Sequence, residues 1–319
     1  MSDARSWRLP FPVDVRLTLS PHGRGSGDPT FQVDGVGAVW RTSLTPDGPA
    51  TIRVLPAAPD DRVTAHAWGP GAAWLLDSLP AQLGAYDDVS GFDPTTHPVL
   101  RDVALRHPGL RVGRTGRLME ALVPAILEQK VVSLEAHRAW KILLSKYGTA
   151  PPGPAPRGMR VFPPPRTWRT IPSWDWHKAG VEGVRAQTII RAATVAGSLE
   201  RLLTDIKTAA GTGAGTVTER SAEAARKLRT LPGIGPWTAA ETLQRAAGDP
   251  DAVSVGDYNL PKAVGWALAR REKTDDAQML ELLEPYRGHR YRVTRLVELT
   301  GLRPPRRGPR MSVRDYRTF

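Results

Sequence analysis

Apolar and polar positions alternate in short runs between about residues 11 and 68. The runs are VDVRLTL, AVWRTSL, TIRVL and VTAHAW, and Gly, Pro and Asp residues separate them. A two-residue period is typical of half-buried strands, and Pro46-Asp47-Gly48 is typical of a turn between two of them. We therefore predict an antiparallel β-rich domain over residues 1–94, with a helix over residues 71–83 packed on its sheet.

The period changes to that of helices from about residue 95. Residues 117–147 carry apolar positions for two consecutive helices, with the segment EQKVVS near their junction. A proline-rich loop is predicted at 151–165, helices resume over 171–203, and a Gly/Thr linker is predicted at 208–218. Residues 95–319 should therefore form an all-helical domain, which puts the chain in the α+β class.

Charge and composition narrow the classes of partner and chemistry. The 319 residues contain 44 Lys and Arg against 32 Asp and Glu, and the C-terminal segment from residue 287 onward is rich in arginine. A polyanion is a plausible partner, although many basic tails are only solvated. The chain has no cysteine, which excludes disulfides, thiolate zinc sites, iron–sulfur clusters and cysteine nucleophiles.

Targeting and membrane signals are missing from the sequence. The first residues, MSDARSWRLPFPVD, have no apolar core of signal-peptide length, and nowhere do about 18 apolar residues run together. We expect a soluble cytoplasmic protein that does not associate with membranes.

The segment LPGIG at residues 231–235 predicts a tight turn between two helices. Both Gly233 and Gly235 are expected to take positive φ and to expose backbone amides. Trp237 and Thr238 open the next helix, so the amides from Ile234 to Trp237 should lie at a helix N-terminus, which favours an anion such as a DNA phosphate. The alternative is a plain helix connector with a glycine C-cap.

Asp257 follows Gly256 and precedes another helical pattern. Its carboxylate could face a reaction, or it could serve only as the N-cap of that helix. From spacing alone, the cap is the commoner role.

The two segments together resemble a known family. LPGIGPWTA followed by VSVGDYNL is similar to the helix-hairpin-helix and Gly/Pro/Asp signature of the DNA glycosylase superfamily, specifically of 3-methyladenine DNA glycosylase II, the AlkA type. PGLRVGRTGRLMEALVPAILEQKVVS, residues 108–133, resembles the family's entry to its helical core. The resemblance implies an antiparallel N-terminal domain followed by a glycosylase core, with the helix-hairpin-helix at about 221–247.

The resemblance also implies an activity. Members flip a damaged nucleotide out of the duplex and break its N-glycosidic bond. The family's bifunctional relatives have a lysine two residues after the second hairpin glycine, where this chain has Trp237. We therefore expect a monofunctional enzyme of base excision repair that hydrolytically excises alkylated purines, 3-methyladenine-like, and leaves an abasic site.

Residue roles follow from the same resemblance. Asp257 is the expected catalytic carboxylate, and Trp237 and Glu241 are the expected walls of the base pocket. DNA contacts are expected from Gly233, Ile234, Gly235, Thr238, Gln129, Lys130 and Arg287.

Three positions depart from the family pattern. Lys130 stands where an apolar wedge is expected, so Val131 or another loop is an alternative plug. Glu241 replaces an aromatic residue, and Arg295 lies near the position of a pocket tryptophan. Glu241 could attract a cationic base or could be an ordinary surface glutamate.

Two aromatic and basic clusters have plainer explanations. Trp174, Trp176 and His177 are expected to pack in the helical core rather than to stack on bases. Tyr286, Arg287 and Arg290, with the basic tail at 303–310, are expected to contact phosphates or to stay solvated.

The expected partner is double-stranded DNA with damaged bases, bound by a monomer in the nucleoid. No metal site is expected and no cofactor is required, while a monovalent cation at the hairpin is left open. Two alternatives also stay open. One is a non-catalytic helix-hairpin-helix protein for DNA binding or damage recognition, in which Asp257 is only a cap. The other is a glycosylase for deaminated, oxidised or bulky lesions.

Overall fold

The computed structural model describes residues 2–58, 60, 62–212 and 216–305. The strands in these ranges are β1 Ser2–Arg8, β2 Phe31–Val33, β3 Val39–Thr45, β4 Gly48–Val54 and β5 Arg62–Trp68. The α-helices in the same ranges are α1 Val15–Leu19, α2 Ala72–Gln82, α3 Pro98–Arg106, α4 Leu118–Leu127, α5 Ser133–Tyr147, α6 Pro165–Thr170, α7 Ser173–Lys178, α8 Gly183–Thr194, α9 Ala196–Thr212, α10 Val217–Leu228, α11 Pro236–Ala246, α12 Leu260–Ala269, α13 Asp276–Leu283 and α14 Arg290–Leu299.

The strands form one antiparallel sheet in the order β1-β5-β4-β3-β2. Thr45 of β3 pairs with Gly48 of β4, so Pro46 and Asp47 occupy the turn between them. Helix α2 covers one face of the sheet and buries Leu75, Leu76 and Leu79 against it, as its apolar spacing predicts.

The prediction of a strand in VDVRLTL is wrong. Val15–Leu19 is the short helix α1, and the Asp14 carboxylate caps it by accepting a hydrogen bond from the Leu17 backbone N–H at 2.8 Å. Its buried residues, Val15, Thr18 and Leu19, recur with helical spacing. A cap and one helical turn therefore outweigh the alternating pattern.

The helical part is built around α4. The two helices predicted over 117–147 are confirmed as α4 and α5, and α4 packs against α8, α9 and α11. Its Leu122 and Ile126 are completely buried. The predicted linker at 208–218 is wrong in part, because α9 extends to Thr212 and α10 begins at Val217, while 213–215 lie outside the described residues.

A second apolar cluster joins α3, α12, α13 and α14 through Leu100, Val264, Met279 and Val297. The loop between α11 and α12 leads from the first helical cluster into the second, and this loop carries Asp257. Of the basic tail predicted at 303–310, residues 306–310 lie outside the described part of the chain, as do residues 311–319.

Within the described ranges, none of the helices combines the length and the apolar character needed to cross a membrane.

Candidate functional site

The segment LPGIG forms a tight hairpin between α10 and α11. The Ile234 backbone N–H donates to the Leu231 carbonyl at 3.1 Å and closes the turn. Gly233 has φ +97°, whereas Gly235 has φ −96° and ψ −177°. The expectation of positive φ is therefore confirmed for Gly233 and wrong for Gly235.

The two glycines are needed for different reasons. A Cβ on Gly233 would stand 2.1 Å from Oγ1 of the buried Thr188 on α8, so a side chain there collides with the helical core. A Cβ on Gly235 would meet no atom of the described residues within 4 Å. The backbone at Gly235 is thus open to the close approach of a ligand from outside.

The amides available at the hairpin are fewer than the sequence suggested. The Ile234 N–H is used within the turn, and Pro236 has no N–H. Trp237 and Thr238 occupy the first turn of α11, where no preceding helical carbonyl can accept their N–H groups. Together with the helix dipole, this end of α11 favours an anion.

Gln129, at the end of α4, braces the hairpin. Its Nε2 donates to the Gly233 carbonyl at 2.9 Å and to Thr238 Oγ1 at 2.8 Å. The neighbouring Lys130 is exposed and has φ +55°, a left-handed backbone that costs a non-glycine residue about 1 kcal/mol. The predicted wedge segment and the predicted phosphate hairpin are therefore directly connected.

Asp257 caps α12 and also contacts the first turn of α11. Its Oδ1 accepts from the backbone N–H groups of Asn259 at 2.7 Å and Leu260 at 2.8 Å, which caps α12. Its Oδ2 accepts from Nε1 of Trp237 at 3.1 Å. The side chain is half-buried, and Oδ2, which accepts one hydrogen bond, keeps a second lone pair.

Glu241 lies one helical turn after Trp237, and both of its oxygens are engaged. Oε2 pairs with Arg245 at 2.7 Å, and Oε1 accepts from the Ser254 hydroxyl at 2.5 Å. The side chain is 14% exposed, so it is not the surface glutamate that one prediction allowed.

The Glu241–Arg245 pair is charged despite its burial. Burial raises the pKa of Glu241, but the Arg245 guanidinium, the Ser254 hydroxyl and the Arg24 guanidinium together outweigh burial and lower it overall. Burial likewise lowers the pKa of Arg245, but neighbouring groups, the Glu241 carboxylate first among them, together raise it overall. Each charge therefore stabilises the other, and little of the Glu241 charge is left to attract a cationic base.

Beyond this pair is a small polar cavity of about 30 Å³, lined in part by His22, Arg24, Arg41 and Arg245. Burial, followed by the charge of Arg41, lowers the pKa of His22 well below its ordinary 6.5, so the imidazole is neutral at pH 7. Nε of Arg24 finds no hydrogen-bond partner within the described part of the chain. A cavity of this size holds about one water molecule and is too small for a nucleobase.

Several predicted contacts have structural partners instead. Arg290 pairs with the buried Asp251 at 2.5 Å, and Tyr286 is buried, with its hydroxyl 3.1 Å from that of Thr96. The prediction of a solvated side chain is therefore wrong for Tyr286, and Arg290 is held by a carboxylate, while contact of either with a phosphate stays a prediction. Arg287 is exposed and pairs with Glu284 at 2.5 Å.

The remaining predicted residues divide between surface and core. Trp176 is 3% exposed and packs in the helical core as predicted, but Trp174 is 63% exposed and His177 is exposed, so the core prediction is wrong for these two. Arg295 pairs with Glu298 at 3.2 Å, and near Asp257, Nζ of Lys262, for which no site role was predicted, lies 3.6 Å from the ring centre of Tyr258.

Sequence reasoning missed two residues that hold the loop of Asp257. Ser254 lies inside the VSVGDYNL motif, but its bond to Glu241 spans 13 positions. Asp276 accepts from the Gly256 backbone N–H at 3.1 and 3.0 Å, and it belongs to the DDAQ start of α13. The capping-box signal predicts that helix start but gives no sign of the contact with Gly256.

No group of three or more His, Asp or Glu side chains is arranged to hold a metal ion within the residues described.

The chain is similar to known proteins in sequence and in fold. No family model matches the sequence. The chain is 32% identical over 237 residues to a Mycobacterium tuberculosis protein described as "Probable bifunctional transcriptional activator/DNA repair enzyme AlkA". The match covers 73% of this chain and 43% of that protein, so the chain spans less than half the length of this curated relative.

Solved structures share the fold at low identity. A 3-methyladenine DNA glycosylase from Archaeoglobus fulgidus superposes with a TM-score of 0.69 at 18% identity, covering 92% of this chain and 97% of its own. An 8-oxoguanine glycosylase/lyase from Clostridium acetobutylicum, in complex with double-stranded DNA, gives 0.69 at 12% identity and covers 95% and 99%. Together with the sequence match to AlkA, the hairpin and the aspartate loop, the shared fold supports an AlkA-type helix-hairpin-helix DNA glycosylase.

Proposed function

We propose that the protein is a monofunctional DNA glycosylase of base excision repair. It binds double-stranded DNA with damaged bases, flips the lesion out, and hydrolyses the N-glycosidic bond of alkylated purines to leave an abasic site. The observation that carries the proposal is the Asp257 carboxylate, fixed by the amides of α12 and by Trp237 beside the N-terminus of α11.

DNA binding is assigned to the hairpin. The open backbone at Gly235 and the backbone N–H groups in the first turn of α11 suit the oxygens of one DNA phosphate group. The exposed Lys130 lies one residue beyond Gln129, which holds the hairpin, so the same surface would supply the group that enters the stack. Its aliphatic stem is long enough to replace an apolar wedge.

Hydrolysis needs only one acid of this kind. When the C1′–N bond breaks, its electron pair leaves with the base and positive charge develops on the deoxyribose. The Asp257 carboxylate stabilises that charge and orients a water, whose oxygen bonds to C1′ while its proton passes to the carboxylate or to solvent. At 4 Å and an effective dielectric constant of 20, the attraction is about 4 kcal/mol, of which half corresponds to roughly 30-fold in rate.

Water, rather than an amine, is the nucleophile in this proposal. The position that carries the lyase lysine in bifunctional relatives is Trp237, whose indole N–H is bonded to Asp257. Lys262, in the same region, lies over the ring of Tyr258. A strand break therefore should not accompany base release.

A second lesion class is favoured by one observation. Arg245 neutralises the charge of Glu241, and two further cations, Arg24 and Arg295, lie close to the same region. The part of the expected base pocket beyond Trp237 therefore offers no net attraction to a cationic base. Polar groups there suit a neutral lesion with hydrogen-bonding edges. Deaminated or oxidised bases therefore form the second candidate substrate set.

Three accompanying features belong to the proposal. The hairpin carbonyls, each with a second lone pair, have the donor chemistry for a monovalent cation. The protein acts as a monomer, and it works in the nucleoid, where its DNA lies.

Mass spectrometry of bases released from methylated genomic DNA tests the proposal directly. We expect free 3-methyladenine or 7-methylguanine from the wild type, with strands intact until alkali is added, and little release from Asp257→Asn. Full activity of Asp257→Asn would overturn the mechanism. Tight DNA binding by the wild type with no release from any lesion in a broad panel would favour the non-catalytic alternative.

A further inference from the structure

We propose that two carboxylates remote from the reacting atoms, Glu241 and Asp276, are positioning residues that hold the candidate acid Asp257 in place. They act on the acid loop, defined as residues 252–257 between α11 and α12. The catalytic meaning of this placement rests on the proposed function, whereas the placement itself does not.

Glu241 holds the first half of the acid loop through Ser254. The Ser254 hydroxyl donates to Glu241 Oε1 at 2.5 Å and accepts from Gln244 Nε2 at 2.9 Å. Gln244 Nε2 also donates to the Ala252 carbonyl at 2.8 Å. The Ser254 carbonyl then accepts from the Asp257 N–H at 3.2 Å, which connects the network to the acid itself.

Asp276 holds the second half of the loop. Both of its oxygens accept from the N–H of Gly256, at 3.1 and 3.0 Å. Gly256 has φ +94°, a left-handed backbone that turns the chain immediately before Asp257. The segment that leads into Asp257 is therefore fixed from two different helices, α11 and α13.

The ion pair with Arg245 explains why Glu241 can serve as an anchor. Arg245 fixes Oε2, and the same guanidinium donates through Nε to the Pro21 carbonyl at 2.9 Å. With one oxygen held by Arg245 and the other by Ser254, Glu241 has no free rotation. Its role is thus to orient the acid loop, in place of the base contact expected from its position on α11.

Such anchoring matters because catalysis tolerates little misplacement. A displacement of about 1 Å of a positioned group can slow a reaction on the order of 100-fold. Asp257 Oδ2 also accepts from the indole N–H of Trp237 at 3.1 Å, so a shift of the carboxylate changes the environment of that proton. The indole resonance of Trp237 therefore reports on the placement of Asp257 without any activity.

Two variants and two matched controls test the proposal in the full-length protein. Ser254→Ala cuts the link to Glu241 while leaving the buried ion pair intact, and Asp276→Ala frees the Gly256 amide. Thr242→Val removes an equally buried hydroxyl of α11 that bonds only within its helix, to the Thr238 carbonyl. Asp275→Ala removes the cap of α13, whose carboxylate accepts from Gln278.

We expect Ser254→Ala and Asp276→Ala to shift the Trp237 indole resonance in ¹⁵N-labelled protein, assigned with Trp237→Phe. Single-turnover base release should fall about tenfold, with the DNA dissociation constant within about twofold of the wild type. Neither control should shift the resonance or slow release.

An unshifted resonance in both folded variants would overturn the proposal, as would equal shifts in the controls. A shifted resonance combined with a wild type that releases no base would overturn the proposed function while supporting the placement of Asp257. If one variant does not fold, the other still decides the outcome, because the two act from different helices.

Discussion

The indole Nε1–H of Trp237 donates a hydrogen bond to Oδ2 of Asp257 across 3.1 Å. This single contact joins the start of α11 to the start of α12, and so joins the hairpin segment to the acid that lies 20 residues further along the chain. Trp237, which stands where the family resemblance places the lysine of bifunctional relatives, is therefore a hydrogen-bond donor to Asp257. Both features of the family signature share one structural unit.

Substitutions of Asp257 should separate capping from catalysis. Asp257→Asn keeps an oxygen for the amides of Asn259 and Leu260, so its free energy of unfolding should stay within about 0.5 kcal/mol of the wild type. Its base release should fall by about 100-fold or more, because the negative charge is lost. Asp257→Ala should also lose about 1 kcal/mol of stability. Denaturant unfolding and single-turnover release measure the two effects, and equal stabilities of the two variants would contradict the cap.

The two hairpin glycines should respond differently to alanine. Gly235→Ala has room for its Cβ and an allowed φ, so its melting temperature should equal or slightly exceed that of the wild type. Its DNA affinity should fall, because the Cβ stands where the phosphate approaches. Gly233→Ala should unfold more easily by about 2 kcal/mol or more, since its Cβ meets Thr188 and its φ is +97°. Thermal melts and binding to lesion-containing DNA test the pair, and unchanged affinity in Gly235→Ala would argue against a phosphate there.

Lys130 offers a test of the wedge. Lys130→Gly places glycine at a left-handed backbone position that strains lysine, and it should stabilise the fold by a few tenths of a kcal/mol to about 1 kcal/mol. Base release should nevertheless slow, because nothing fills the stack. Lys130→Met keeps an apolar stem without the charge and should retain most of the release rate. Wild-type release by Lys130→Gly would instead point to Val131 or another loop.

Asp249 should make stability depend on pH. Burial raises the pKa of this 4%-exposed carboxyl to about 7, against about 3.9 in an unfolded chain. The folded protein therefore holds a proton that the unfolded chain has lost, and its stability should fall as pH rises from about 4 to 7. Asp249→Asn cannot ionise and should be more stable than the wild type at pH 8, by up to about 4 kcal/mol, with a smaller gain at pH 5.

Denaturant unfolding at both pH values measures the difference. Asp251→Asn is the control, because Asp251 is equally buried but pairs with Arg290, and its loss should destabilise the protein at either pH. A gain in Asp249→Asn that does not grow with pH would contradict the assignment.

Local chemistry explains which parts of the site the sequence predicted. The turn at 231–235 and the acid after Gly256 rest on glycine, proline and capping preferences that act over a few residues, and both form where they were expected. The same local reasoning gave α2, α4 and α5, whose apolar positions repeat over two turns or more. It failed for α1, because the apolar positions of one capped helical turn also fit the alternating pattern of a strand.

Long-range contacts explain what the sequence did not reveal. The Glu241–Arg245 spacing of four residues is a visible pairing signal, but nothing local shows that the pair is buried or that Ser254 completes it. Edge strand β1 has exposed side chains on both faces, so it carries no apolar alternation to recognise. Gly235 took extended backbone because α11 begins directly after it with Pro236.

The hydrogen bond from Arg245 to the Pro21 carbonyl has a consequence for any attempt to shorten the protein. Pro21 precedes most of the sheet in the sequence, whereas Arg245 belongs to the helix that follows the hairpin. Removing the first 94 residues would strip a buried guanidinium of one acceptor and open its ion pair to water. The truncated helical body would therefore carry its first defect on α11, the helix whose first turn holds Asp257 through Trp237.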